Sequence, residues 1–509
     1  MKPKLQQIIL FTLTFFLFTC AAFPTTRFVS KTGSSVPPYT TWATASDSIQ
    51  KCINICNDGD TVVVANGVYK EYLLISKEIA LLGASMDSTI IDGTGLGDYY
   101  TIRANADVTI SGFTIIGKGF NTSPYYDGVV TIFNNINVFN CKITHCNVAL
   151  WVGQSSGILD GLIINDVYGG ITTSCASDTC KPIIRNCVII LEGENADNGI
   201  LNFYYGQPTI LNNIIIGNKS VGINNVYAKR MIIENNLIAT GYVGIRASTV
   251  SDTTFIQNNI IREQIDADFG AGISYPNRRA IIKNNILTNC KKGVEISTYE
   301  NPSADFNLYW ENEIHSNNGS IFGVHDIFAD PMFVKDTVAK SLSYDYHLQK
   351  YSPAIDVGDP SILDVDGTRS DIGMYGGPLG STYTYLNLPP KPPVNFHSSF
   401  DSSKIIINWD KFSEADFSHY NIYRSVVNNF IPDSSSHYCQ TDTSYFIDEI
   451  PIVKDKIFYK ITSVDSAGNE SLPGEQIVIT ITGTGEPMIE VVGEYKLYQN
   501  YPNPFNPAT

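Results

Sequence analysis

Four charged side chains, Arg246, Asp266, Asp268 and Glu295, carry the chemistry to be expected of this chain. Two reactions suit them. Elimination from a uronate sugar needs a base to take the proton beside the carboxyl, and cations to steady the enolate that forms. Arg246, Arg278 and Arg279 are the candidate cations. Asp266 and Asp268, in REQIDADFG (262–270), are candidate ligands for Ca2+. Hydrolysis of a glycosidic bond instead needs two carboxyls at a set separation, and Glu295 with Asp266 or Asp268 is the pair. Trp151, Tyr204, Tyr205, Asn224, Tyr227, Tyr242, Tyr275 and Tyr299 are the candidate substrate contacts. Sugar rings pack their C–H faces on aromatic rings while their hydroxyls meet polar groups. Beyond calcium, these residues imply no cofactor.

A repeat must position them. ILNNIII (210–216), IIENNLI (232–238), FIQNNII (255–261) and IIKNNIL (281–287) have their first asparagines at Asn212, Asn235, Asn258 and Asn284, spaced 23, 23 and 26. Upstream, Asn186, Asp160, Asn140 and Ser111 continue the series, and downstream Asp305 does, at an average of about 24 residues. Each unit reads alike: an alternating apolar strand, a polar corner, a short second strand, a turn, and a third strand that opens on Gly and an aliphatic. GVVTIF (128–133), VGINNVY (221–227), VGIRAS (243–248) and KGVEIST (292–298) are such third strands. No unit has room for a crossover helix, so the repeat predicts three short strands per coil of a solenoid. The corner asparagine tolerates left-handed backbone, and amides stacked coil on coil can hydrogen-bond along the column.

The chain resembles the right-handed parallel β-helix family that includes pectate lyases, over about residues 26–378. The opening (48–85) looks like that family's cap and first coil, with a short helix over 47–55 plugging the core and Gly67, Tyr69 and Glu71 matching its turn. FNLYW (306–310), DPMFV (330–334), DYHLQKYSPAIDVG (345–358) and DVDGTRSDIGMYGG (364–377) resemble the closing segment of secreted β-helix proteins. Asp364, Asp366, Arg369 and Asp371 there suggest either a second calcium loop or a loop that closes the last coil with Arg369 paired to an acid. The resemblance implies that substrate lies along the outer face of the third-strand sheet. Alternation then stacks Val130, Trp151, Thr172, Leu201, Asn224, Arg246, Ser274 and Glu295 outward. Neither the paired aspartates of polygalacturonases nor a clear calcium–arginine constellation of the lyases is present.

The flanks add modules. Lys2 and Lys4, the apolar run 8–18 and small residues to Ala22 have the layout of a secretory signal peptide (1–22). A Pro-rich linker (379–393) leads to short alternating strands over 394–482, which resemble a fibronectin type III domain through Trp409, Tyr459 and SVDSAGNES (463–471). The tail (483–509) ends in YKLYQNYPNPFNPAT, similar to the start of a type IX secretion sorting domain and truncated relative to it. Cys175 and Cys180 bracket a loop that a bridge can close, while Cys141, Cys187 and Cys290 are expected as buried thiols. A net charge of −16 argues against nucleic-acid binding, and no run is long and apolar enough for a transmembrane helix. The expected fold class is all-β: a right-handed parallel β-helix of roughly ten coils, then a fibronectin type III sandwich. The expected protein is secreted or held at the outer cell surface and meets the type IX secretion machinery on its way. It binds a polysaccharide or cell-surface glycan and degrades it as a lyase or glycoside hydrolase. The alternative is a non-catalytic adhesin or structural spacer.

Overall fold

A computed structural model describes residues 24–96, 100–120, 128–131, 134–177, 179–192, 197–249, 252–276, 279–296, 302–317, 321–336, 344–401, 404–449, 456–481 and 487–491. The expected export signal and sorting segment, Arg278 and Tyr299 lie outside the described residues. The fold is all-β, a parallel β-solenoid of about ten turns followed by antiparallel sheets. The chain divides into two compact units, Met1–Val167 and Tyr168–Thr509.

The first unit opens with the strand Thr26–Val29, followed by the helix Ile49–Asn54, slightly shorter than expected, which buries Ile49, Cys52 and Ile53. The Glu71 carboxylate caps it, accepting hydrogen bonds from Ser48 Oγ (2.8 Å) and from the main-chain N–H groups of Ile49 (3.1 Å) and Gln50 (2.9 Å). A carboxylate at a helix N-terminus satisfies otherwise orphaned donors and meets the positive end of the dipole. Tyr69 is fully buried, and its hydroxyl donates to the Ala65 carbonyl.

In the second unit the coils stack in parallel register. Met231–Glu234 pairs with Thr254–Gln257, and that strand with Ile281–Lys283. These first strands alternate buried and half-buried residues. The short second strands Leu237–Ala239 and Ile260–Arg262 are buried throughout, as expected of parallel strands covered on both faces. Their cover is the closing segment, whose Phe333, Tyr346, Leu348 and Ile372 pack on Leu237, Ile260, Ile286 and Leu308. Third strands open on Gly199, Gly222, Gly244 and Gly272 for want of space. A Cβ at any of them would lie 2.6 Å from the carbonyl oxygen of the next coil's glycine.

The paired asparagines divide two tasks. The first of each pair (Asn212, Asn235, Asn258, Asn284) turns the corner at φ between +51° and +56°. The second (Asn213, Asn236, Asn259, Asn285, then Asn307) is fully buried and forms the ladder. Nδ2 of each donates to Oδ1 of the next at 2.9, 3.0, 2.9 and 3.0 Å. The continuous amide ladder thus falls to the second asparagine; among the first asparagines Asn284 Nδ2 donates to Asn258 Oδ1 at 3.4 Å, and their side chains otherwise turn toward the closing segment. There they grip it: Asn235 Nδ2 donates to the carbonyls of Met374 and Gly376, Asn258 Nδ2 to Ser370 Oγ and the Asp371 carbonyl, and Asn284 Oδ1 accepts from Asp359 N–H. Arg369 donates to the carbonyls of Gly358 and Val357 rather than to an acid. Cys175 and Cys180 are disulfide-bonded, and Cys141, Cys187 and Cys290 are buried free thiols.

Two antiparallel sheets follow. One comprises His397–Asp401, Lys404–Asn408 and Tyr445–Asp448; the other His437–Thr441, Phe417–Ser425, Lys456–Asp465, Ile477–Ile481 and Pro487–Val491. Their common core includes Trp409, Tyr420 and Tyr459, consistent with a sandwich. The last strand lies in the stretch expected to be linker. Lys391 seats the sandwich on the solenoid, with Nζ 3.4 Å from Asp330 and 3.2 Å from Asp336, and its N–H donating to Glu414 (3.2 Å). Ser413 Oγ also donates to Asp330.

Glu414 is 5% exposed, and burial raises its pKa to about 7 despite Lys391, with the carboxylates of Asp330 and Asp416 adding to the rise. A carboxyl whose folded pKa exceeds its unfolded value stabilises the fold fully below the unfolded value, and the contribution is lost as pH rises through the folded one. For Glu414 that window runs from about 4.5 to about 7, with roughly 3 kcal/mol at stake. Glu414→Gln keeps the acceptor and removes the titration. Its melting temperature should therefore rise relative to the parent's between pH 5 and 8; parallel curves would contradict this origin.

Candidate functional site

The third strands of the second unit place one residue per coil on their outer face. Thr172, Leu201, Asn224, Arg246, Ser274 and Glu295 are successive register partners, as alternation predicted. Neighbouring rungs lie ~4.8 Å apart, so Arg246 and Glu295 are roughly 10 Å apart along the stack. Trp151 is half-buried on Lys142–Gly153 of the first unit, in register with Val130.

The floor of this face is polar and incompletely satisfied. Among the described residues Arg246 makes no hydrogen bond or ion pair. Asn224 donates to Asn198 Oδ1 (2.9 Å), yet its own Oδ1 is buried without a partner, as is Ser274 Oγ. Buried polar atoms left unpaired cost about 1–3 kcal/mol each, and their usual explanation is a water or a ligand. Asp197 stands near Arg246. Burial raises its pKa, against the pull of Asn198 and then of the guanidinium.

Two rims border the floor. At the far end of the third strands, Tyr204, Tyr205, Tyr227 and Tyr275 are between 47% and 58% exposed. Tyr204, Tyr227 and Tyr275 have φ of +64°, +67° and +50°. Left-handed backbone is costly for an aromatic residue and recurs where structure serves function. Tyr204 and Tyr227 follow the paired Phe203 and Val226 on adjacent coils; Tyr275 comes two residues earlier in its coil. On the opposite rim Tyr242 and Phe269 meet edge to face at 6.0 Å.

The expected carboxylates are differently committed. Glu295 is ion-paired with Lys292. Asp266 Oδ1 accepts the N–H groups of Asp268 and Phe269 at 3.0 Å, shaping the rim loop on which exposed Asp268 also sits. In the closing segment, Asp364 accepts from the amides of Asp371 and Gly377, and Asp366 from Thr368. No group of three or more His, Cys, Asp or Glu side chains among the described residues is placed to hold a metal ion.

Sequence reasoning missed a second left-handed corner, between the second and third strands. His145 and Asp166 occupy it in the first unit, and Glu263, Asn289 and Glu311 in the second. The second-unit residues stack coil on coil: Glu263 N–H donates to the Thr288 carbonyl and Asn289 N–H to that of Trp310. His145 Nδ1 lies 2.9 Å from Asp166 Oδ2. This corner carries no common residue type, so no spacing announced it.

Residues 165–318 match the family described as right handed beta helix region. No curated protein matches. Among solved structures the chain is similar to the spore cortex lytic enzyme of Clostridium perfringens (18% identity, 21% of this chain, 32% of that one, TM-score 0.16). It is also similar to an alginate lyase (14%, 56% and 52%, TM-score 0.29) and to a pectate lyase (13%, 69% and 96%, TM-score 0.34). The chain thus spans about a third of the first and about half of the second.

If Asp266 holds the rim loop, Asp266→Ala should cost about 1 kcal/mol and speed hydrogen exchange at the amides of Asp268 and Phe269 selectively. Unchanged protection at both would contradict this role.

Proposed function

We propose that the chain is an exported glycan-interacting protein whose substrate lies along the outer third-strand face of the second unit. The observation that carries this reading is the in-register column Asn224–Arg246–Ser274–Glu295. It offers a guanidinium that makes no hydrogen bond or ion pair among the described residues and two buried, unsatisfied polar atoms, between rims of exposed aromatic rings. Linear saccharides ask for this combination: flat apolar faces for the rings, polar groups for the hydroxyls, and a long open surface rather than a closed pocket.

Arg246 and Asn224 hold substrate oxygen atoms, and Tyr204, Tyr205, Tyr227, Tyr242 and Tyr275 pack on sugar faces; Trp151, on the first unit, is a separate candidate contact. Degradation, by elimination or hydrolysis, draws on Arg246, Glu295, Asp266 and Asp268. Ca2+ would sit at Asp266 and Asp268 only after the loop amides release the Asp266 carboxylate. The sandwich is a fibronectin type III spacer. The leader (1–22) and the tail (483–509) direct the chain through the type IX secretion machinery to the medium or the outer cell surface.

The whole chain, passed over immobilised acidic and neutral polysaccharides, should be retained by at least one. Arg246→Ala and Tyr227→Ala should each weaken retention about tenfold, equivalent to roughly 1.4 kcal/mol. Unsaturated new ends identify a lyase, and reducing ends without them a hydrolase. No retention by any glycan would sink the reading in favour of a structural spacer.

A further inference from the structure

Beside the third-strand face, at the missed corner, lies a cavity of about 280 Å³. Ile265 and Ala267 of the rim loop form one wall; Asn289 and Lys291 of the next coil and Glu311 and Glu313 of the one after complete it. This volume is at the small end for ligand sites, which suits a single sugar ring with the rest of a chain outside. Ile265 is 66% exposed, so an apolar surface borders the entrance.

The two glutamates differ in surroundings. Glu313 Oε2 is ion-paired with Lys291 Nζ at 3.0 Å. Glu311 makes no hydrogen bond or ion pair among the described residues and sits on left-handed backbone at φ +48°. Partial burial, then the Asp330 carboxylate and more weakly that of Asp336, raise its pKa against the pull of Lys391 and Arg262. Glu311 thus favours keeping its proton, as a general acid must, while Glu313 is held beside Lys291 in the same cavity. Two residues apart, their Cα atoms lie within about 7 Å. Their carboxyls can therefore reach the separations of roughly 5–9.5 Å used in glycoside hydrolysis. Glu295, tied to Lys292, and Asp266, tied to its own loop, are less free.

We propose that Glu311 and Glu313 are the general acid and general base of a glycosidic-bond hydrolysing site in this cavity, acting on a neutral or amino sugar. The inference rests on the glycan reading above and assigns its chemistry to different carboxyls. Glu311 gives its proton to the glycosidic oxygen, and the C1–O bond breaks with its electron pair leaving on that oxygen. Water adds to C1 and passes a proton to Glu313, which returns it to solvent, while Glu311 takes one back. The products are one new reducing end and one new hydroxyl, and no other reactant is needed. The sugar class follows from charge: with Lys291 engaged by Glu313, a uronate in the cavity would face carboxylates without a free cation.

The test incubates the whole chain with hexasaccharides of glucose, xylose, N-acetylglucosamine and glucosamine, and with polygalacturonate. New ends and retention are both measured. The expected result is reducing ends, without unsaturated ends, from a neutral or amino-sugar probe. Glu311→Gln and Glu313→Gln should each slow cleavage 10²–10⁴-fold while melting temperature and retention stay at parent values. Retention without cleavage overturns this inference and leaves the binding face standing. Cleavage undiminished in Glu311→Gln, or cleavage of polygalacturonate alone, also overturns it. Neither retention nor cleavage overturns the binding face as well.

Discussion

The buried amide ladder from Asn213 to Asn307 is the constraint from which the second unit follows. Each rung ties a side chain to its successor and to main chain: Asn259 Nδ2 donates to Asn285 Oδ1 and to the Ile233 carbonyl, while its Oδ1 accepts the Asn236 amide. A corner in a solenoid strips backbone groups of sheet partners, and buried groups without partners are expensive. The ladder supplies those partners at every turn. It ends above at Cys187, whose N–H donates to Asn213 Oδ1, and below at Asp326, which accepts from Asn307.

Register is the ladder's product, and the candidate site is the product of register. Once each coil is locked to its neighbour at one corner, the third strand arrives in phase. Asn224, Arg246, Ser274 and Glu295 then align without contacting one another through any dedicated device. The corner that aims one asparagine inward also aims its neighbour outward, and the closing segment hangs on three of those outward amides. That segment covers the second strands, so the open third-strand face, with its two rims, is left for other business.

The period, the three-strand grammar, the left-handed corner and the outward column from Thr172 to Glu295 were all legible, because each repeats with a residue type or a parity. The division of labour within Asn-Asn was not, since two identical neighbours differ only in backbone conformation. The second corner escaped for the opposite reason: His145, Asp166, Glu263, Asn289 and Glu311 share a φ and no chemistry. Candidate carboxylates were therefore sought on the strands and the rim loop, where Lys292 and loop amides already engage Glu295 and Asp266. Glu311 and Glu313 were passed over because only the stacking of coils brings them beside Lys291.

Urea unfolding of Asn259→Ala beside Asn212→Ala tests the ladder most directly. Asn259→Ala should cost about 3–5 kcal/mol, by leaving several buried groups unpaired. Asn212→Ala should cost only about 1–2 kcal/mol, for left-handed backbone without its favoured residue. Equal costs, or a larger loss for Asn212→Ala, would mean that the turn rather than the buried amide column holds the coils in register.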